Sequence, residues 1–260
     1  SISADMVSSV LEQREEAINR ALSGLGAFVE VDRAYIFMLT PDRTAMNNTH
    51  EWCAPGIDPQ ISNLQGIPVD ALPWWMDRLS RSEPIKLRNL DELPPEAFME
   101  RSILEPQSIR SLLVIPLIWQ GHLQGFLGFD SVRSDRVWLE EDLSSMTLLG
   151  NIFISAMKRD EAVLALRESE EQFRALFLKA PASILIHDLE TGEIVDANPL
   201  AYGMYGLESL EELQAYDYWL DPPYSRTEAL VWIRKAAKEG TQPFEWMSRS
   251  VSGEFFWEQI

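Results

Sequence analysis

One cysteine, three histidines and a shortage of basic residues set the first limits on this chain. Cys53 alone cannot close an internal disulfide, and no Cys/His cluster has the spacing of a zinc site, so no metal is expected and a reducing compartment fits. Twenty-two Lys and Arg against 41 Asp and Glu leave a net charge of −19, which repels nucleic-acid phosphates and anionic lipid. No apolar run approaches the roughly 20 residues of a membrane span, and no basic-then-apolar leader opens the chain. The chain is therefore read as cytoplasmic, without membrane contact. Nucleophile–base pairs, glycine-rich phosphate loops and metal constellations are also missing, so no catalytic residue is assigned and an enzyme is not expected. Glu140-Glu141 and Glu211-Glu212 are pairs on helical stretches and read as solvated faces.

What is present is the composition of folded protein, 46% hydrophobic and 24% charged over 260 residues, a length that suggests two domains. A helical stripe of Met6, Val10, Ala17, Ile18, Ala21, Leu22 and Leu25 precedes the strand-forming run from Arg33 to Leu39 and a second strand from Ala45 to Cys53. Alternation in that second strand puts His50 and Trp52 on one face and Glu51 and Cys53 on the other. A proline-rich crossing from Pro55 to Pro106 holds helices over Pro73–Ser82 and Pro94–Leu104. Two apolar runs, Ser111–Trp119 and Leu123–Asp130, flank the hairpin signal Gln120-Gly121-His122.

From Trp138 to Pro181 there is no proline, and Leu143, Met146, Leu149, Phe153, Ala156 and Val163 follow a near-heptad alternation. This predicts one continuous helix reaching Phe177, a dimer-forming stripe along it, and a polar stretch near Arg159-Asp160. Beyond Pro181 come strands over Ser183–Asp188 and Ile194–Ala197, a short helix from Asn198-Pro199, a helix over Ser225–Lys238, and two strands flanking Ser252-Gly253. The chain starts at Ser1 without Met and stops at Ile260 within a strand-like run, so it reads as a piece of a longer protein.

The order helix, two strands, crossing, Ile115-Pro116-Leu117, Gly125-Phe126-Leu127-Gly128-Phe129-Asp130 and exit helix resembles a GAF domain over roughly residues 5 to 165. The run Glu168–Phe177 followed by Asp188-Leu189-Glu190-Thr191-Gly192-Glu193-Ile194-Val195-Asp196-Ala197-Asn198-Pro199 resembles the front of a PAS domain, which Ile260 cuts short. The resemblance implies an α+β chain of two domains, each a central antiparallel sheet flanked by helices. It places a GAF-like domain at 1–160, a signalling helix at 161–178 and a truncated PAS-like domain at 179–260. In the GAF family the late-strand glycines let helices approach closely.

Both families hold small molecules between sheet and helices, so the resemblance points to Trp52, Cys53, Trp74, Trp75, Phe98 and Phe129 in the first half. In the second half it points to Ile186, Asn198, Tyr202, Tyr205, Trp219, Trp232 and Trp246. The alternative is that these residues fill the two cores. The cofactor is left unknown. Covalent bilin is disfavoured because Ala54 and Pro55, not His, follow Cys53. Haem is disfavoured because the Ser225–Lys238 helix has no His, and covalent flavin photochemistry because the PAS-like half has no Cys. The methionine-sulfoxide-reducing activity of some GAF relatives needs several cysteines.

The implied function is the sensory input module of a two-component signal-transduction protein, a sensor histidine kinase. It would be homodimeric through the helix, with its output domain in the same parent chain and a small-molecule ligand. A ligand-free dimerisation and interaction scaffold is the alternative.

Overall fold

The computed structural model describes residues 2–217 and 219–260, with side chains from Glu15 onward. The chain divides into two compact units, Ser1–Glu161 and Ala162–Ile260.

In the first unit, α1 (Ile2–Phe28) leads into β1 (Arg33–Leu39) and β2 (Ala45–Cys53), followed by the short β3 (Ile67–Pro68), α2 (Pro73–Ser80), β4 (Ile85–Leu87), α3 (Phe98–Leu104), β5 (Ser111–Trp119) and β6 (His122–Ser131). Ile18, Leu22 and Leu25 of α1 turn inward as the helical spacing predicts, whereas Ala17 and Ala21 are exposed. Met6 and Val10 fall outside the described side chains. The strands form one six-stranded antiparallel sheet in the order β3-β2-β1-β6-β5-β4, with the two most apolar strands at or next to its centre. The β5–β6 hairpin turns through Gln120 and Gly121, both with positive φ, the combination a tight hairpin needs.

Each face of this sheet carries its own core. On one side, Ala34, Ile36, Leu113, Ile115, Leu127 and Phe129 meet Ile18 and Leu22 of α1 and the start of α4 (Glu140–Lys179). On the other, Tyr35, Phe37, Leu112, Val114 and Phe126 meet α2 and α3 through Trp75, Leu79 and Leu104. A register shift between Ile36 and Phe37 pairs Ile36 with His50 but Phe37 with Asn48. One extra residue, Thr49, therefore switches the alternation of β2, so Met46 packs in the Trp75 core while Trp52 packs in the α1 core.

The helix α4 is a single element of 40 residues, with Glu140, Glu141 and Asp142 in its first turn, where the helix dipole favours acids. The sequence stripe on it needs correction. Met146 is buried against the sheet, and Leu143, Leu149 and Phe153 pack in the same core, so these four face inward and do not form a dimer seam. Heptad spacing reveals that a helix has an apolar side and leaves open what covers it. Ala156 and Val163 are exposed, as are Leu148, Ile152, Leu166, Phe173 and Leu176.

The second unit pairs β7 (Leu185–His187) with β8 (Ile194–Ala197). After α5 (Pro199–Met204), α6 (Leu210–Ala215) and α7 (Arg226–Glu239), it pairs β9 (Glu245–Arg249) with β10 (Phe255–Gln259). Its core gathers Ile194, Ala197, Ala201, Tyr205 and Leu213. The mixed architecture, antiparallel sheets with helices against them and one long helix, is the α+β class expected.

Candidate functional site

In the first unit a cavity of about 40 Å³ lies between the sheet and α2 and α3. Most of its wall is apolar, from Phe37, Leu64, Ile67, Leu72, Ile103 and Phe126, with Trp75 among them. Its polar wall is Arg33, Tyr35, Glu51, Gln107 and Asp130. Arg33 opens β1 and lies opposite Asp130 near the end of β6. Both are almost completely buried, at 2% and 1% exposure, so neither charge is solvated by water.

The Tyr35 hydroxyl donates to Asp130 Oδ1 at 2.8 Å, and Arg33 Nε stands 3.9 Å from Asp130 Oδ2. Arg33 Nη2 donates to the Gln107 carbonyl at 2.7 Å. Glu51 Oε2 accepts from the backbone N–H groups of Gln60 and Ile61, each at 2.7 Å. Burial pushes the Asp130 carboxyl up to about 7, against the opposing pull of the Arg33 guanidinium and the Tyr35 hydrogen bond. Burial together with the Asp130 charge also raises the Tyr35 phenol well above its usual range. Two buried donors, Arg33 Nε and Trp75 Nε1, have no hydrogen-bond partner among the described residues.

The sequence builds this corner by alternation and by one missing side chain. Tyr35 pairs with Gly128 across β1 and β6, and a Cβ at Gly128 would lie 2.1 Å from Tyr35 Cε2. The ring occupies the space any larger residue would take. Gly128 thus admits a side chain, and the helix approach that the family resemblance implied for it is not what this strand uses.

Of the six residues expected in this half, only Trp75 lines the cavity. Trp74 is half-buried beside that core, with Arg78 over its ring at 5.4 Å. Phe129 lies in the opposite core, and so does Trp52, whose ring sits where a Cβ on Gly26 would be. Phe98 is 69% exposed at the start of α3. Cys53 ends β2 opposite Arg33, half-buried and outside the cavity wall. Burial, reinforced by Glu51, pushes its thiol up to about 11, so it stays protonated at neutral pH.

Arg33, Glu51, Gln107 and Asp130 are not aromatic, so the aromatic content of the sequence does not point to them. The available signal was a charge at the end of each of two otherwise apolar strands, Arg33-Ala34-Tyr35-Ile36 and Leu127-Gly128-Phe129-Asp130.

In the second unit a cavity of about 190 Å³ brings together Tyr205, Trp219, Trp232 and Trp246, four of the seven residues expected there. Phe244 stacks on Trp232 with ring centroids 4.4 Å apart, and the Tyr205 hydroxyl donates to Glu258 Oε1 at 2.9 Å. The other three lie elsewhere. Ile186 is on the exposed side of β7 and Tyr202 packs against the small core. Asn198 is fully buried and structural. Its Oδ1 accepts from the N–H groups of Ile184 and Ala201 and its Nδ2 donates to the carbonyls of Phe177 and Ala182, which caps α5.

Comparison with known proteins accords with this geometry. The GAF domain family model matches residues 13–157 and a PAS domain model matches residues 171–238. The methanogenesis regulatory histidine kinase FilI of Methanothrix harundinacea (strain 6Ac) is 32% identical over 168 residues, which cover 61% of this chain. The match spans 18% of that curated relative's length.

Among solved structures, the photoproduct state of GAF3 from Slr1393 of Synechocystis sp. PCC6803 shares the fold, with a TM-score of 0.50 at 17% identity over 58% of this chain and 98% of that one. The far-red absorbing dark state of JSC1_58120g3, with bound biliverdin IXa, has a TM-score of 0.46 at 16% identity over 54% and 86%. These neighbours overturn the expectation that disfavoured bilin. Solved structures similar to this chain include cyanobacteriochrome GAF domains, one of them with biliverdin IXa bound.

No helix among the described residues is long and apolar enough to cross a membrane. GAF and PAS domains are sensory domains. The chain belongs to the GAF domain family, and a PAS domain follows the GAF domain along it.

Proposed function

We propose that this chain is the ligand-sensing input module of a cytoplasmic sensor histidine kinase whose output domain belongs to the same parent protein. The single observation that carries the reading is the buried cluster of Arg33, Tyr35 and Asp130 beside an apolar cavity, with two donors left without partners. Packing alone gives no reason to bury an arginine and an aspartate in a sheet core, because desolvating such a pair commonly costs more than their attraction returns. A site that must recognise a polar molecule does give one. Similarity to a histidine kinase supports the choice of output.

In this reading residues 161–178 are the signalling segment of α4, and occupancy biases its arrangement. Such coupling requires two states with different ligand affinity. A second copy pairs along the exposed apolar residues of the helix, Leu148 and Ile152 in the first unit and Leu166, Phe173 and Leu176 in the second, with Ala156 and Val163 beside them. Leu148, Ile152, Leu166, Phe173 and Leu176 share the phase of one heptad seam.

Native mass spectrometry of the chain purified without additives, together with thermal-shift measurements across a metabolite library, tests the sensing claim. A retained or stabilising small molecule is expected. Empty spectra and an unmoved melting temperature throughout would refute it.

A further inference from the structure

The cavity of the first unit is small and mostly apolar, with two unpaired donors in its wall. Its volume of about 40 Å³ corresponds to roughly three water-sized probes at about 10–15 Å³ each, room for about four or five non-hydrogen atoms. One oxygen of each carboxylate in the wall is engaged, Asp130 Oδ1 by Tyr35 and Glu51 Oε2 by two backbone N–H groups. The buried wall atoms without a partner are donors, Arg33 Nε and Trp75 Nε1. A donor-only ligand would leave both of these donors unpaired. A carboxylate supplies the acceptor oxygens that a buried guanidinium binds best, and Phe37, Leu72 and Phe126 offer contact to a short alkyl tail.

We propose that this cavity takes a short-chain monocarboxylate, with its oxygens on Arg33 and Trp75 and its tail against the apolar wall, and that Asp130 is protonated in the occupied state. The proposal deepens the sensing reading and rests on it.

The protonation follows from the charges that face the site. Arg33 is the one cation. Tyr35 is neutral, and Glu51 is held by the N–H groups of Gln60 and Ile61. Asp32 is held by the N–H groups of Val132 and Arg133 and by the Arg133 guanidinium at 3.2 Å. Of these carboxylates Asp130 is the one whose charge burial opposes, a bound carboxylate adds to that opposition, and a proton from solvent relieves it. Burial already holds the Asp130 carboxyl at about 7, so the proton is available near neutral pH. No covalent bond to the ligand is made or broken, and the proton uptake per ligand rises from about 0.1 at pH 6 to about 0.9 at pH 8.

Isothermal titration of the whole chain with acetate, propionate, butyrate, hexanoate and propionamide, at pH 6 and pH 8, tests this. Acetate and propionate should bind saturably, hexanoate and the amide at least tenfold more weakly. Affinity should fall by about tenfold from pH 6 to pH 8, as the protonated fraction of Asp130 drops from about 0.9 to about 0.1. Trp75→Phe should weaken propionate severalfold. Asp130→Asn, a neutral mimic of the protonated acid, should still bind and lose the pH dependence.

Absence of saturable carboxylate binding to the folded protein at both pH values overturns the proposal, as does equal affinity for propionate and propionamide. If a metabolite library then yields a ligand of another class, the carboxylate assignment alone has failed. An entirely negative library removes the sensing reading with it.

Discussion

The Asp130→Asn variant should change how the stability of this protein depends on pH, and in a defined direction. In the folded chain burial holds the Asp130 carboxyl at about 7, whereas its ordinary value is 3.8. The unfolded chain therefore releases this proton first. Between about pH 4 and pH 7 the unfolded state gains about 1.4 kcal/mol per pH unit from that ionisation. The stabilising contribution is complete below pH 4, falls as pH rises, and is gone above 7, a total of about 4 kcal/mol by the same linkage relation.

Within the practical interval from pH 5 to pH 8 the loss is about 3 kcal/mol. Asparagine keeps an acceptor for the Tyr35 hydroxyl and cannot ionise, so the variant lacks this term. Urea unfolding followed by tryptophan fluorescence at pH 5, 6, 7 and 8 measures it as a difference between the two proteins, in which other titrating groups cancel. The midpoint difference should move in favour of the variant by about 1 M urea or more between the extremes, given usual denaturant slopes. Parallel profiles for wild type and variant would refute the claim that Asp130 is held protonated by burial.

Gly128→Val should destabilise the first unit by about 1–3 kcal/mol or more through overpacking, because the new side chain enters the space of the Tyr35 ring; thermal denaturation checks this. Asn198→Ala should cost about 2–4 kcal/mol in the second unit, since it removes a helix cap and strands four backbone partners, two of them buried; a calorimetric transition for that unit reads it out. Alkylation of Cys53 should be slow at pH 8 and accelerate toward pH 11, and a rate that levels off near pH 8 would contradict the raised thiol. Light scattering should report a monomer for Leu148→Glu combined with Ile152→Glu, whereas Leu149→Glu with Phe153→Glu should unfold the first unit, because those side chains sit in its core.

The strands and the long helix were legible because local signals set them. The apolar run Ser111–Trp119, the turn at Gly121 and the proline-free stretch after Trp138 each act within a few residues. The orientation of α4 was not legible, since Leu143 and Leu148 are equally apolar in sequence and only the sheet decides which is covered. The short α6 escaped notice because it is one and a half turns long, although Ser209 caps it and Glu211 and Glu212 follow. In the second half, the aromatic residues Tyr205, Trp219, Trp232 and Trp246 come together along one cavity. In the first half they marked mostly packing. There the polar corner depends on Arg33 and Asp130 coming opposite each other, 97 residues apart along the chain, which follows from strand register and not from composition.

That register has a mechanical consequence. Arg33, Tyr35 and Phe37 touch the cavity, while Ala34 and Ile36, their immediate neighbours along β1, touch the layer beneath α1 and α4. Pleated backbone cannot slide one set without the other. Any tug on the guanidinium or the phenol therefore arrives on the far side of the sheet within a single peptide unit, with no relay of intervening side chains to dissipate it.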